Sequence, residues 1–144
     1  MKIVVQRVKM ASVSVDGKEV GRIDKGLLLF VGFTENDDVD KINYMVNKVI
    51  NLRIFDDENG IMNLNVSDVG GSILSVSQFT LYADASKGNR PSYIKALKGE
   101  EAIKLYECFN DRLSDVIHTK SGIFGADMEV NLVNDGPVTI IIEK

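Results

Sequence analysis

The sequence predicts a single α+β domain over residues 1–144, with largely antiparallel or mixed β-sheet forming a barrel-like or sandwich core and two helices packed on it. Three observations carry this. About seven or eight short runs rich in β-branched residues read as strands. Two stretches alone space their apolar residues by three and four, as a core-facing helix requires. Strands and helices also fail to alternate regularly, which argues against a parallel βαβ sheet.

In order, residues 3–8 and 13–15 read as strands, and Asp16-Gly17 as a hairpin turn into a third strand through Val20 and Ile23. After Lys25-Gly26 comes Leu27-Leu28-Leu29-Phe30-Val31, whose unbroken apolar character predicts a strand buried on both faces. Asn36-Asp37-Asp38 opens a helix, with negative charge against the helix dipole, and Val39, Ile42, Val46 and Val49 form its inward stripe. A short strand at 53–55 precedes the solvated loop 56–60. Gly70-Gly71 breaks the chain before an interior strand at 73–79, and residues 87–92 form a loop. A second helix is expected over 99–117, with Ala102, Leu105, Tyr106, Phe109, Leu113 and Val116 on one face. Asn134-Asp135-Gly136 lies between alternating runs at 128–133 and 138–142, which predicts a closing hairpin. Pro137 then opens the last strand; it lacks a donor, so that strand belongs at an edge, and ordinary X-Pro chemistry favours a trans bond.

With 144 residues, 44% of them hydrophobic and 26% charged, the chain has ordinary globular composition and enough length for a real core. Its formal charge of −4 argues against a broad nucleic-acid-gripping face and leaves room for a local basic patch. The single cysteine, Cys108, permits no intrachain disulfide and suits a reducing compartment. The opening residues carry too short an apolar run for a signal peptide, and no run approaches the roughly 18 apolar residues of a membrane span. A cytoplasmic location is expected.

The common catalytic sets drop out. Cys108 and His118 are the lone thiol and imidazole, and along one helix they would stand roughly 15 Å apart, too far for a nucleophile–base pair. His118 reads as a helix-end residue and Cys108 as a small helix residue. Neither a zinc spacing nor a Gly-rich phosphate loop is present, so no metal or cofactor is expected. Three stretches remain. Ser77-Gln78-Phe79-Thr80 leaves an interior strand with polar groups where the apolar pattern stops. It offers either backbone donors to a developing oxyanion with a hydroxyl nearby, or hydroxyls that merely satisfy local backbone groups. Ser121 through Met128 sets Phe124 among small residues, either to stack a flat ligand or to pack the core. Lys87, Arg90, Lys95 and Lys98 form a basic cluster that meets phosphates or simply faces solvent.

Taken together, Gln6-Arg7-Val8, Met62-Asn63-Leu64, Ser77-Gln78-Phe79-Thr80, Arg90-Pro91-Ser92 and Asn134-Asp135-Gly136-Pro137-Val138-Thr139 resemble the D-aminoacyl-tRNA deacylase family over essentially the whole chain. The resemblance implies a homodimer that hydrolyses the ester of D-aminoacyl-tRNA, and of glycyl-tRNA, while rejecting L-aminoacyl-tRNA. It implies that Ser77, Gln78, Phe79 and Thr80 form the catalytic wall and that Phe124 packs near the terminal adenosine. Gly136-Pro137 would be a cis bond presented into the partner's pocket, with Arg7 holding it in place. The implied partners are aminoacyl-tRNA and a second subunit, with neither membrane nor DNA. Two rivals stand beside this reading: a relative of the L-specific editing domains of some archaeal threonyl-tRNA synthetases, and a non-catalytic dimeric module binding tRNA or protein.

Overall fold

One long strand organises the molecule. In the computed structural model, which describes residues 1–144, β1 (Lys2–Val15) fuses the two strands expected at 3–8 and 13–15. Its C-terminal part pairs antiparallel with β2 (Lys18–Ile23) after a turn in which Asp16 and Gly17 both take positive φ. Its N-terminal part pairs antiparallel with β3 (Gly26–Gly32). Leu27, Leu28 and Leu29 are all fully buried, as their unbroken run requires.

Helix α1 (Val39–Ile50) starts where expected. Asp38 is its N-cap, accepting from the Lys41 backbone N–H at 2.9 Å. Its stripe differs at one position, because Val39 lies in the first turn and is 45% exposed while Met45 is fully buried. The short strands β4 (Phe55–Asp56) and β5 (Met62–Leu64) pair as a separate ribbon. β6 (Ser72–Ser77) then runs parallel to β3. Gly26 permits that contact, since a Cβ there would stand 1.9 Å from the Ser72 carbonyl oxygen.

The strand expected to reach Phe79 ends at Ser77. The Gln78 N–H donates to Val31 O at 2.7 Å as the ladder closes, and residues Phe79–Tyr82 then wind into a 3₁₀ turn. Helix α2 (Gly99–Ser114) stops short of the expected 117. The N–H groups of both Val116 and Ile117 donate to Leu113 O, and Ile73 N–H takes His118 O, drawing the chain into β7 (Thr119–Ser121), parallel to β6. Val116 is consequently 59% exposed and His118 lies beyond the helix rather than at its end.

β8 (Glu129–Glu143) overturns the expected hairpin. Residues 129–134 pair with the far part of β1, and residues 139–143 continue in the same direction along its near part. Asn134-Asp135-Gly136-Pro137 is therefore a bulge within one strand. Turn-forming chemistry permits either outcome, because the Asn134 side chain can close the excursion without reversing the chain. Its amide oxygen accepts from Val138 N–H at 2.9 Å, and its nitrogen donates to Val138 O at 3.1 Å. The Gly136-Pro137 bond is cis, as the resemblance implied.

The strands follow the order β2-β1-β3-β6-β7, with β8 also on β1. β2 curls toward β6 and β7 so tightly that a Cβ on Gly21 would lie 3.1 Å from the Leu74 side chain and 3.3 Å from Ser121 O. The mixed sheet thus nearly closes into a barrel. Val8, Ala11, Val13, Leu28 and Leu74 fill its interior, while Leu27 and Leu29 face Ile42 and Phe109 from the helices outside. Each of the larger side chains contributes about 1.5–3 kcal/mol by leaving water. No helix is long and apolar enough to cross a membrane.

Candidate functional site

β3 and β6 run parallel and end together at one rim of the barrel. Outside the carboxyl ends of parallel strands the backbone diverges, and a crevice forms where ligands commonly bind. Here the cleft holds about 310 Å³. One wall is Ser77, Gln78 and Phe79, and the facing wall is Phe124 through Met128. The end of β3 forms the base, where Gly32 lets the Gln78 carbonyl approach; a Cβ there would stand only 2.9 Å from it. Leu97 and Ala102 complete the apolar side.

The two walls are tied from beneath. Gly122 N–H donates to Ser75 O at 2.9 Å, which fixes the start of the Phe124 loop against β6. The Tyr106 hydroxyl donates to the same carbonyl at 2.9 Å, and its ring packs on Phe124 with centroids 5.7 Å apart. Burial pushes the Tyr106 pKa above its ordinary 10.0, against the opposing pull of its hydrogen bond with Ser75, so the hydroxyl serves as a neutral donor. The Gln78 side-chain amide donates to Thr80 Oγ1. Thr80 follows the wall in the 3₁₀ turn without lining the cleft, so Ser77, Gln78, Phe79 and Phe124 come together there while Thr80 stands just behind.

The other two predicted groups lie elsewhere. Arg7 pairs in register with Leu27 near the start of β3, whereas the cleft opens at Val31, about 13 Å further along the strand. Arg7 is almost fully buried. It donates from Nε to Asp135 O at 2.9 Å and from Nη1 to Ile54 O at 2.6 Å, and reaches the Asp56 carboxylate at 3.4 Å. It thereby clamps the bulge bearing Gly136 and Pro137 to the sheet. Within one chain, this clamp and the cleft are separate features.

The chemistry available in the cleft is sparse. Asp127 is the one carboxylate on its walls, and neither His118 nor Cys108 borders it. Cys108 sits on α2, its sulfur accepting from Arg112 Nε at 3.3 Å. No group of three metal-ligating side chains comes together. Backbone amides, the Gln78 amide, the Ser77 hydroxyl and the Asp127 carboxylate are the polar tools at hand. Sequence reasoning missed Asp127 as a wall residue, the β3 end, Leu97, and the tie through Tyr106. Gly32 after an unbroken apolar run was the one signal that marked the β3 end as a place of close approach.

A family model described as D-Tyr-tRNA(Tyr) deacylase matches residues 4–143. A solved structure named c-Myc DNA Unwinding Element Binding Protein is similar at 41% identity and TM-score 0.94, covering 100% of this chain and 99% of that one. Another, described as a probable eukaryotic D-amino acid tRNA deacylase, shares the fold at 16% identity and TM-score 0.81, covering 98% and 97%.

Proposed function

The chain belongs to the D-Tyr-tRNA(Tyr) deacylase family, and on that premise we propose that its cleft hydrolyses the ester joining a D-amino acid to the 3′ end of tRNA. The observation that carries this is the cleft itself: an apolar slot with an aromatic on one wall, a polar strand end on the other, and no acid–base pair on its walls. Such a site works by holding the reacting groups in place and offering backbone donors to the developing oxyanion. Phe124 receives the terminal adenosine, and the strand end after Ser77 faces the ester. Thr80 has no base beside it, and an unassisted threonine hydroxyl is a poor nucleophile at neutral pH. Water attacks instead, helped by the free hydroxyl of the terminal ribose.

Chirality is read by a second copy of the chain. Gly136-Pro137 is held away from its own cleft, and in a homodimer it enters the partner's, its carbonyl oxygens crowding the side where an L side chain would lie. Glycine presents no side chain to exclude, so glycyl-tRNA is also a substrate.

The decisive comparison is hydrolysis of D-Tyr-tRNA against L-Tyr-tRNA by the purified protein. D-specific hydrolysis is expected, and a preference for L overturns the reading. Thr80→Ala should keep most of the single-turnover rate; a loss as large as that of Gln78→Ala would favour a covalent route. An Arg7→Met homodimer should begin to hydrolyse L-Tyr-tRNA, and mixing it with an excess of Gln78→Ala subunits should restore D-specificity, because the Gly136-Pro137 entering each working cleft is then intact. A second reading, a non-catalytic nucleic-acid-binding module, is favoured by the name of the 41%-identical relative. Hydrolysis of neither ester would support it.

A further inference from the structure

The basic cluster at residues 87–98 takes no part in the hydrolysis described so far, yet the fold fixes it beside the cleft. Asp84 and Ser92 exchange two backbone hydrogen bonds, at 2.8 and 2.9 Å, and so pinch the loop between them. Downstream, Leu97 N–H donates to Phe33 O at 2.9 Å and Thr34 Oγ1 donates to Lys95 O at 2.6 Å, fastening the segment to the end of β3. Tyr93 is thereby set against Phe79, their rings 5.3 Å apart and edge to face.

Phe79 belongs to both features. It forms part of the cleft wall and is also 47% exposed, so one ring borders both the cleft and the solvent outside it. Lys98 Nζ lies 5.8 Å from the centre of that ring. Between Ala85 and Lys98 the chain carries Lys87, Arg90, Lys95 and Lys98 and no carboxylate, within a protein of net charge −4. Lys95 reaches Asp84 at 3.8 Å, and the other three form no ion pair. An exposed Phe79 beside a half-buried Tyr93, flanked by unpaired cations, offers what a single nucleic-acid strand requires: a π-face for each base and positive charge for each phosphate.

We propose that Phe79 and Tyr93 form a stacking platform for the nucleotide preceding the terminal adenosine of the tRNA, with Lys98 meeting the phosphate between the two. The proposal rests on the cleft being the seat of that adenosine. The strand leaving the cleft then passes over the shared Phe79 ring onto Tyr93. The platform supplies affinity for the 3′ end without reading its bases, since every base has a π-face. It also explains how an acidic protein holds a polyanion, through one short patch rather than a broad face.

The test is equilibrium binding of an uncharged CCA ribotrinucleotide against adenosine 5′-monophosphate, for wild type, Tyr93→Ala, Tyr93→Phe and Lys98→Gln. Wild type should bind the trinucleotide about five-fold or more tighter than the mononucleotide. Tyr93→Ala should erase most of that gain, and Tyr93→Phe, which keeps the π-face, should retain it. Lys98→Gln should lower the slope of log affinity against log salt by about 0.7 for the trinucleotide. Urea unfolding of each variant separates a folding defect from a lost contact. No gain in wild type overturns the platform, as does a gain that survives Tyr93→Ala. Because binding needs no hydrolysis, a protein that shows the gain yet leaves D-Tyr-tRNA intact removes the enzymatic reading and keeps the platform.

Discussion

Replacing Arg7 with methionine tests the clamp on the 134–138 bulge. The guanidinium makes two charge-assisted hydrogen bonds to main-chain carbonyls, Ile54 O at 2.6 Å and Asp135 O at 2.9 Å. Hydrogen bonds with a charged partner contribute about 1.5–3 kcal/mol each. The two losses will differ. Ile54 is buried, so its carbonyl is left dry, whereas the half-buried Asp135 segment can recover water. The contacts with the Asp56 and Asp135 carboxylates, at 3.4 and 3.6 Å, add little because both partners are partly solvated. Methionine restores some apolar volume. The net cost expected is about 3–4 kcal/mol. With a urea slope of about 2 kcal/mol/M, the unfolding midpoint falls by roughly 1.5–2 M at unchanged slope. Arg7→Lys should recover less than half of this, because one ammonium cannot span two carbonyls set for a fork. Amide exchange at Val138, whose N–H bonds Asn134 Oδ1, should quicken beyond the global change. A midpoint shift under about 0.5 M, with Val138 exchange unaltered, would mean that the bulge holds itself and that Arg7 is not its clamp.

Other perturbations bear on the same architecture. Asn134→Ala removes the side chain that spans the bulge and strands the Val138 N–H; a loss of about 1–2 kcal/mol is expected in urea unfolding, with β1–β8 pairing kept on either side. Gly26→Ala places a Cβ 1.9 Å from Ser72 O, a backbone atom that cannot swing aside, so a loss of at least about 3 kcal/mol or insoluble expression is expected. Asp57 accepts backbone N–H bonds from Ile61 and Asn59, which hold its pKa below the ordinary 3.8. Its contribution is therefore present above that value and is lost as pH falls through the lowered one. A carboxyl NMR titration should place Asp57 below the ordinary 3.8, and Asp57→Asn should flatten the acid limb of stability.

Much of the fold could be read locally. The unbroken run Leu27-Leu28-Leu29 carried its own burial on both faces, and Asp38 carried its own cap. Failures came where the outcome depended on a distant partner. Asn-Asp-Gly chemistry is the same in a reversal and in a bulge; what decided between them was a β1 long enough to pair both halves of β8. Helix α2 lost its last turn to a bond between Ile73 and His118, which no helical periodicity contains. The site divides in the same way. Ser77 to Phe79 and Phe124 were visible as breaks in an apolar pattern, and they do share a cleft. Tyr106 was read only as one tooth of a core stripe, although its hydroxyl ties the two walls. Arg7 draws on segments near residues 54 and 135, and nothing in its own neighbourhood announces that reach.

The bulge in β8 has a consequence for whatever docks against it. A loose loop surrenders about 1–2 kcal/mol of backbone entropy per residue when a partner orders it. Here Arg7 from one side and Asn134 from the other have already fixed the segment during folding. Contact with Gly136 and Pro137 therefore carries little further ordering penalty, and a ligand cannot be accommodated by yielding. For any partner that docks there, a misfit of an ångström would register in full as lost affinity rather than be absorbed by the loop.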